Sequence, residues 1–129
     1  MNRLLLVDGN SIINRAYYAL AGRATLTAPD GTPTGAVNGF FNSFLTVFDE
    51  YEATHACVLF DLKQPTFRHK MYPEYKAQRK PTDADLITQI ALTKELLDLM
   101  GIARLELAGF EADDLIGTLS LMGEQQGYE

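Results

Sequence analysis

Arg3-Leu4-Leu5-Leu6-Val7-Asp8-Gly9-Asn10-Ser11 is the stretch on which the fold turns. Five residues dominated by leucine and valine end on a carboxylate and then on a turn. A strand buried on both faces reads as a continuous apolar run, and that is the habit of parallel sheets. The same grammar recurs twice. Ala56-Cys57-Val58-Leu59-Phe60 ends in Asp61, and Ala103 to Ala108 is followed by Glu111-Ala112-Asp113-Asp114. In open α/β sheets the working crevice lies beyond the carboxyl ends of the strands. Five carboxylates from three distant places in sequence are therefore expected at one sheet edge. Crowded carboxylates repel and stay ionised only with positive charge among them. An all-oxygen donor set suits Mg²⁺ or Mn²⁺.

The segments between these runs read as helices. Ser11 can cap a helix reaching about Ala21. Val37, Phe40, Phe41, Phe44, Leu45, Val47 and Phe48 recur at helical spacing and predict an apolar stripe over residues 36–51. A further helix is expected from Asp83 to Met100. Leu86, Ile90, Leu92, Leu96, Leu97 and Met100 form its buried side, Thr82 or Asp83 its cap, and Gly101 its stop. Strand three is placed at about 103–107. A last helix opens near Glu111 and stops at Gly127, and Tyr128-Glu129 reads as the start of another strand. The order β-α-α-β-α-β-α predicts an α/β three-layer domain with a mostly parallel sheet.

With 129 residues, 47% of them hydrophobic, the chain has the length of one domain with a real core. The single cysteine, Cys57, cannot form an internal disulfide and reads as a small buried hydrophobe. The first apolar run is too short for a signal peptide or membrane span, so a cytoplasmic location without membrane contact is expected.

Net charge is −6, but its distribution matters more than its sum. Lys63, Arg68, Lys70, Lys76, Arg79 and Lys80 lie in residues 63–80 against Glu74 alone. A basic segment beside an acid cluster suits a metal-dependent enzyme on a polyanion; a solvated surface is the plain alternative. On a helix Lys76 and Arg79 would share a face next to Tyr75. Such a pair could stabilise charge on a phosphate, and the tyrosine could stack on a base.

Other chemistries fail on particular residues. No glycine-rich phosphate loop of either common pattern is present. Asp8-Gly9-Asn10 lacks the second aspartate of a phosphoaspartyl phosphatase. His55, His69 and Cys57 are not spaced as zinc ligands. Taken singly, Asp8 and Asp61 could be turn or cap residues, and Glu111, Asp113 and Asp114 could merely complement a helix dipole. Acids at all three strand exits exceed what capping requires.

Several motifs resemble the flap-endonuclease family, PIN-like in fold, and within it the N-terminal 5′ nuclease domains of bacterial DNA polymerase I. They are Leu5 to Ser11, Pro33-Thr34-Gly35-Ala36, Phe60-Asp61, Thr66-Phe67-Arg68, Tyr75-Lys76-Ala77-Gln78-Arg79, and Glu111 through Leu119. Order and spacing match across the chain, and the last motif is the most specific.

The resemblance implies a 5′-3′ exonuclease and flap endonuclease of DNA replication and repair. Its substrate would be DNA with a 5′ flap or single-stranded 5′ end, with RNA primers also removed. Two divalent ions, Mg²⁺ or Mn²⁺, would serve the intact domain. Asp8, Asp61, Glu111, Asp113 and Asp114 would be metal carboxylates. Lys76 and Arg79 would contact the scissile phosphate. Arg15, Arg68, Tyr75 and Lys80 would add nucleic-acid contacts, and residues 65–90 would form a mobile helical arch. The family continues with a Gly-Asp-x-Asp motif and a helix–hairpin–helix, so residues 1–129 are expected to be its N-terminal half, inactive alone or nearly so. Two alternatives stay open at this point: a small PIN-type ribonuclease, and a non-catalytic nucleic-acid-binding module.

Overall fold

The computed structural model describes residues 1–20, 26–62, 70–72, 74, 76 and 83–129. Strand β1 (Leu4–Asp8) leads directly into helix α1 (Gly9–Ala19), and α2 (Gly35–Glu50) follows. Then come β2 (His55–Leu59), α3 (Ala84–Leu99), β3 (Ala103–Leu105) and α4 (Ala112–Gln125). The sheet is parallel throughout in the order β1-β2-β3, with Asp8 opposite Leu59 and Leu59 opposite Leu105. All three strands therefore end at the same edge.

Alternation along the strands builds two cores. Leu5 and Val7 of β1 face the same way as Ala56, Val58 and Phe60, and pack with Ile13, Phe40, Phe44, Leu86 and Leu97 from α1, α2 and α3. Leu6, Cys57 and Leu59 face the opposite way and pack on Ala112, Leu115, Ile116 and Leu119 of α4. The predicted three layers are thus present, with three helices on one face and α4 on the other. Cys57 is half-buried in the second core, and burial pushes its thiol pKa up. Helices α1 and α2 meet closely because a Cβ on Gly39 would stand 2.8 Å from that of Ala16.

The structure departs from sequence expectation in three places. Helix α1 starts at Gly9, not at Ser11: the Asp8 carboxylate accepts the Ser11 N–H at 3.0 Å and is itself the N-cap. Strand β3 is shorter than 103–107, because Glu106 turns to the Lys94 and Arg104 side chains. Met100 and Leu45 are exposed, while Gln89 and Thr93 are buried instead. Helix α3, expected from Asp83 to Met100, is present and is anchored by fully buried Leu86.

Gln89 has a specific task. Thr34 precedes α2 without a side-chain capping bond. The Gln89 Oε1 reaches across from α3 and accepts the N–H groups of Ala36 at 2.7 Å and Val37 at 3.3 Å. Two N–H groups orphaned at a buried helix start are satisfied from a neighbouring helix. At the far side of β1, the Leu4 N–H donates to the Glu129 carbonyl at 2.8 Å, and the Glu129 N–H donates to that of Asn2 at 2.9 Å. Tyr128-Glu129 thus lie beside β1 in the manner of an adjoining strand.

Candidate metal centre

The carboxyl edge of the sheet opens into a pocket of about 330 Å³ lined by Asp8, Asn10, Ser11, Asn14, Arg15, Asp61, Lys76, Glu111 and Asp113. Asp8 arrives from β1, Asp61 from just past β2, and Glu111 and Asp113 from the start of α4. The convergence follows from register: parallel strands of matched length must deliver their exits together.

Each carboxylate except the exposed Asp113 has a local anchor. One Asp8 oxygen caps α1. The Asp61 N–H is held by Asn10 Oδ1 at 2.8 Å, and Asp61 Oδ1 accepts the Ala112 N–H at 2.6 Å, the first amide of α4. Glu111 and Asp114 form a reciprocal capping box, in which Asp114 Oδ2 accepts the Glu111 N–H at 2.9 Å. Glu111 also pairs with the Lys76 ammonium at 2.5 Å. Asp113 is exposed. Capping thus fixes the approach of Asp8 and Asp61 while leaving each a second oxygen.

Electrostatics mark the pocket as a place for positive charge. Burial raises the Asp8 pKa, the Ser11 N–H opposes the rise, and the charges of Asp61 and Asp113 add to it. Negative charges crowded around a partly buried carboxylate are relieved by a cation between them. The donors fit a hard cation: carboxylate oxygens, with the amide oxygens of Asn10 and Asn14 and the Ser11 hydroxyl nearby. Among the described residues, no group of three acidic, thiol or imidazole side chains already stands in one ion's coordination geometry. The pocket gathers donors without closing a shell.

Of the residues singled out from sequence, Asp8, Asp61, Glu111, Asp113, Lys76 and Arg15 share the pocket lining. Asp114 does not line it and serves the capping box. Arg68, Tyr75, Arg79 and Lys80 lie outside the described residues. Sequence reasoning missed Asn10, Ser11 and Asn14 as lining residues. Their signal was available: Asn10 and Asn14, and Ser11 and Arg15, are four apart, so polar side chains recur down one face of the helix that Asp8 begins.

The chain is thus a three-layer parallel α/β domain that gathers acids from every strand exit, with two cations, Arg15 and Lys76, in the same pocket lining. The chain belongs to the family described as 5′-3′ exonuclease, N-terminal resolvase-like domain, matched over residues 3–129. It is 48% identical over 127 residues to thermostable DNA polymerase I of Thermus thermophilus, covering 98% of this chain and 15% of that protein. It is 44% identical over 125 residues to DNA polymerase I of Mycobacterium tuberculosis strain H37Rv, covering 97% of this chain and 14% of that protein. The chain thus spans about a seventh of these relatives.

Among solved structures, it resembles a bacteriophage T5 flap endonuclease in a pseudo-enzyme-product complex with DNA and metal ions. The TM-score is 0.62 at 19% identity, over 97% of this chain and 46% of that one. A T5 5′-exonuclease with bound zinc gives 0.63 at 20% identity, over 97% and 45%. At such identities the likeness speaks for the fold. No helix among the described residues is long and apolar enough to cross a membrane.

Proposed function

We propose that these residues form the metal-binding half of a 5′-3′ exonuclease and flap endonuclease that hydrolyses phosphodiester bonds in DNA. The observation that carries this reading is the meeting of Asp8, Asp61, Glu111 and Asp113 in one pocket with Arg15 and Lys76. Family membership supports it, since the matched domain is a 5′-3′ exonuclease domain.

Asp8, Asp61, Glu111 and Asp113 would hold Mg²⁺ or Mn²⁺, two ions in the intact domain, with Asp114 fixing the first turn of α4 from behind. When bound, such ions supply Lewis-acid chemistry to a phosphodiester. The chain's own cations have a separate task. Arg15 presents a planar donor fork suited to two phosphate oxygens, and Lys76 a compact charge. Together they draw a phosphate toward an otherwise repulsive acidic pocket and orient it over the carboxylates. Lys76 pairs with Glu111, so one lysine borders both the metal donors and the expected position of the scissile phosphate.

Arg68, Tyr75, Arg79 and Lys80 join this proposal on the sequence resemblance alone, as contacts to a DNA 5′ flap or an RNA primer. Replication and repair roles, and cytoplasmic action, follow from the same reading. Weak ion binding and poor flap hydrolysis by these residues alone belong to the same proposal.

The test is a Mn²⁺ titration followed by thermal melting, comparing wild type with Asp113→Ala. Wild type should be stabilised with rising Mn²⁺, as any ligand of the native state stabilises it, and the variant should respond far less. An equal response from both would remove the metal reading.

A further inference from the structure

Phe60 is fully buried, and its ring lies directly on the backbone of Gly9. A Cβ added at Gly9 would stand 2.5 Å from Cε1 and 2.7 Å from Cζ of that ring. Carbon atoms normally settle about 3.5–4.0 Å apart, so no side chain fits at Gly9 unless the ring moves. The ring has little room to do so. It belongs to the main core, and the Lys94 ammonium stands 5.0 Å from its centroid. Lys94 is fixed in turn by Glu106 at 2.6 Å.

The contact joins two neighbours of the metal donors, for Gly9 follows Asp8 and Phe60 precedes Asp61. A second tie runs beside it, the 2.8 Å bond from the Asp61 N–H to Asn10 Oδ1. Phe60 itself does not line the pocket.

We propose that Phe60 is a positioning residue whose ring, seated on Gly9, sets the spacing between Asp8 and Asp61 and thereby the size of cation the pocket prefers. The inference rests on the reading of the pocket as a divalent-cation site. Mg²⁺ takes oxygen ligands at about 2.0–2.1 Å and Ca²⁺ at about 2.3–2.6 Å. A shift of a few tenths of an ångström between the β1 and β2 exits is therefore enough to change the preference. A methyl group at Gly9 pushes the exits apart and favours the larger ion. Trimming Phe60 to leucine makes room for that methyl.

The experiment uses Mn²⁺ as the probe, its free fraction read by electron paramagnetic resonance and its displacement driven by Mg²⁺ or Ca²⁺. Wild type, Gly9→Ala, Phe60→Leu and the double variant are compared, with urea melts in EDTA reporting fold stability separately. Gly9→Ala should move the Mg²⁺-to-Ca²⁺ preference toward Ca²⁺ by about 10-fold, within the range that supporting residues exert on metal sites. The double variant should return to within about 3-fold of wild type, as coupled neighbours do. Should Gly9→Ala fail to fold, Asn10→Ala carries the same test by cutting the second tie, again with a shift toward Ca²⁺. An unchanged preference in variants that lose stability would make the contact merely structural and overturn the proposal. Wild type binding no Mn²⁺ at all would instead sink the metal reading, and this inference with it.

Discussion

Asp61 does two things at once, and the structure allows them to be separated. Its Oδ1 accepts the Ala112 N–H at 2.6 Å, at the first residue of α4, which is itself 1% exposed. Its charge faces Asp8. Asp61→Ala removes both the acceptor and the charge. Asp61→Asn removes the charge but keeps an oxygen able to take the same N–H. Loss of the acceptor leaves a buried amide unpaired, at about 1–3 kcal/mol. Loss of the negative charge at the helix start costs roughly 0.3–1 kcal/mol, and relief from the charge of Asp8 returns part of that. The charge effects are common to both variants, so the difference between them isolates the hydrogen bond.

Asp61→Ala should therefore be less stable than Asp61→Asn by about 1–2 kcal/mol in urea melts in EDTA, with unchanged m-values. In thermal melts this corresponds to roughly 3–8 °C for a chain of this size. Both variants should lose the Mn²⁺-induced stabilisation. Equal destabilisation of the two would refute the assignment of α4's anchor to Oδ1. A full metal response in Asp61→Asn would refute its place among the metal donors.

Three further outcomes follow from particular contacts. Gln89→Met keeps the side-chain volume but abandons the Ala36 and Val37 amides, and should cost about 2–3 kcal/mol by urea melting; Gln89→Glu, retaining the acceptor, should cost less. Phe40→Ala empties a fully buried ring site and should cost about 3–5 kcal/mol in the same assay. Because the folded-state pKa of Asp8 is raised above its usual 3.8, its protonated form is favoured in the native state. In EDTA, wild type should therefore lose stability relative to Asp8→Asn as pH rises from the unfolded carboxylate's range through the raised value. Saturating Mn²⁺ at neutral pH should reverse that ranking.

The architecture was legible because burial on both faces of a parallel sheet leaves an unmistakable mark. Leu4 to Val7 and Ala56 to Phe60 could hardly be anything but strands, and the phenylalanines at 40, 41, 44 and 48 predicted the α2 face that packs on them. The pocket was legible for a related reason. Parallel register places every strand exit at one edge, so acids at three exits had to approach each other. Other contacts were hidden because they are properties of tertiary structure alone. Gln89 occupies a helical position that reads as surface, and only the unsatisfied start of α2, more than fifty residues away, gives it a reason to be inside. Asp114 likewise hides a capping role, since its Oδ2 accepts the Glu111 N–H.

The acids at the strand exits are consequently not equivalent, although the sequence presents them as one set. Asp8 and Asp61 each use an oxygen to begin or anchor a helix, and α4 in turn presents Glu111 and Asp113 to the same pocket. The local order of the proposed metal donors is therefore built into helix initiation: moving α1 or α4 by one residue would break a cap and displace a carboxylate together. A site assembled in this way resists drift, because a substitution that loosens the donor geometry also weakens the fold. Asp113, exposed and outside these capping bonds, is placed so that charge can be removed at little structural expense. It is for that reason the cleanest position at which to separate ion binding from folding.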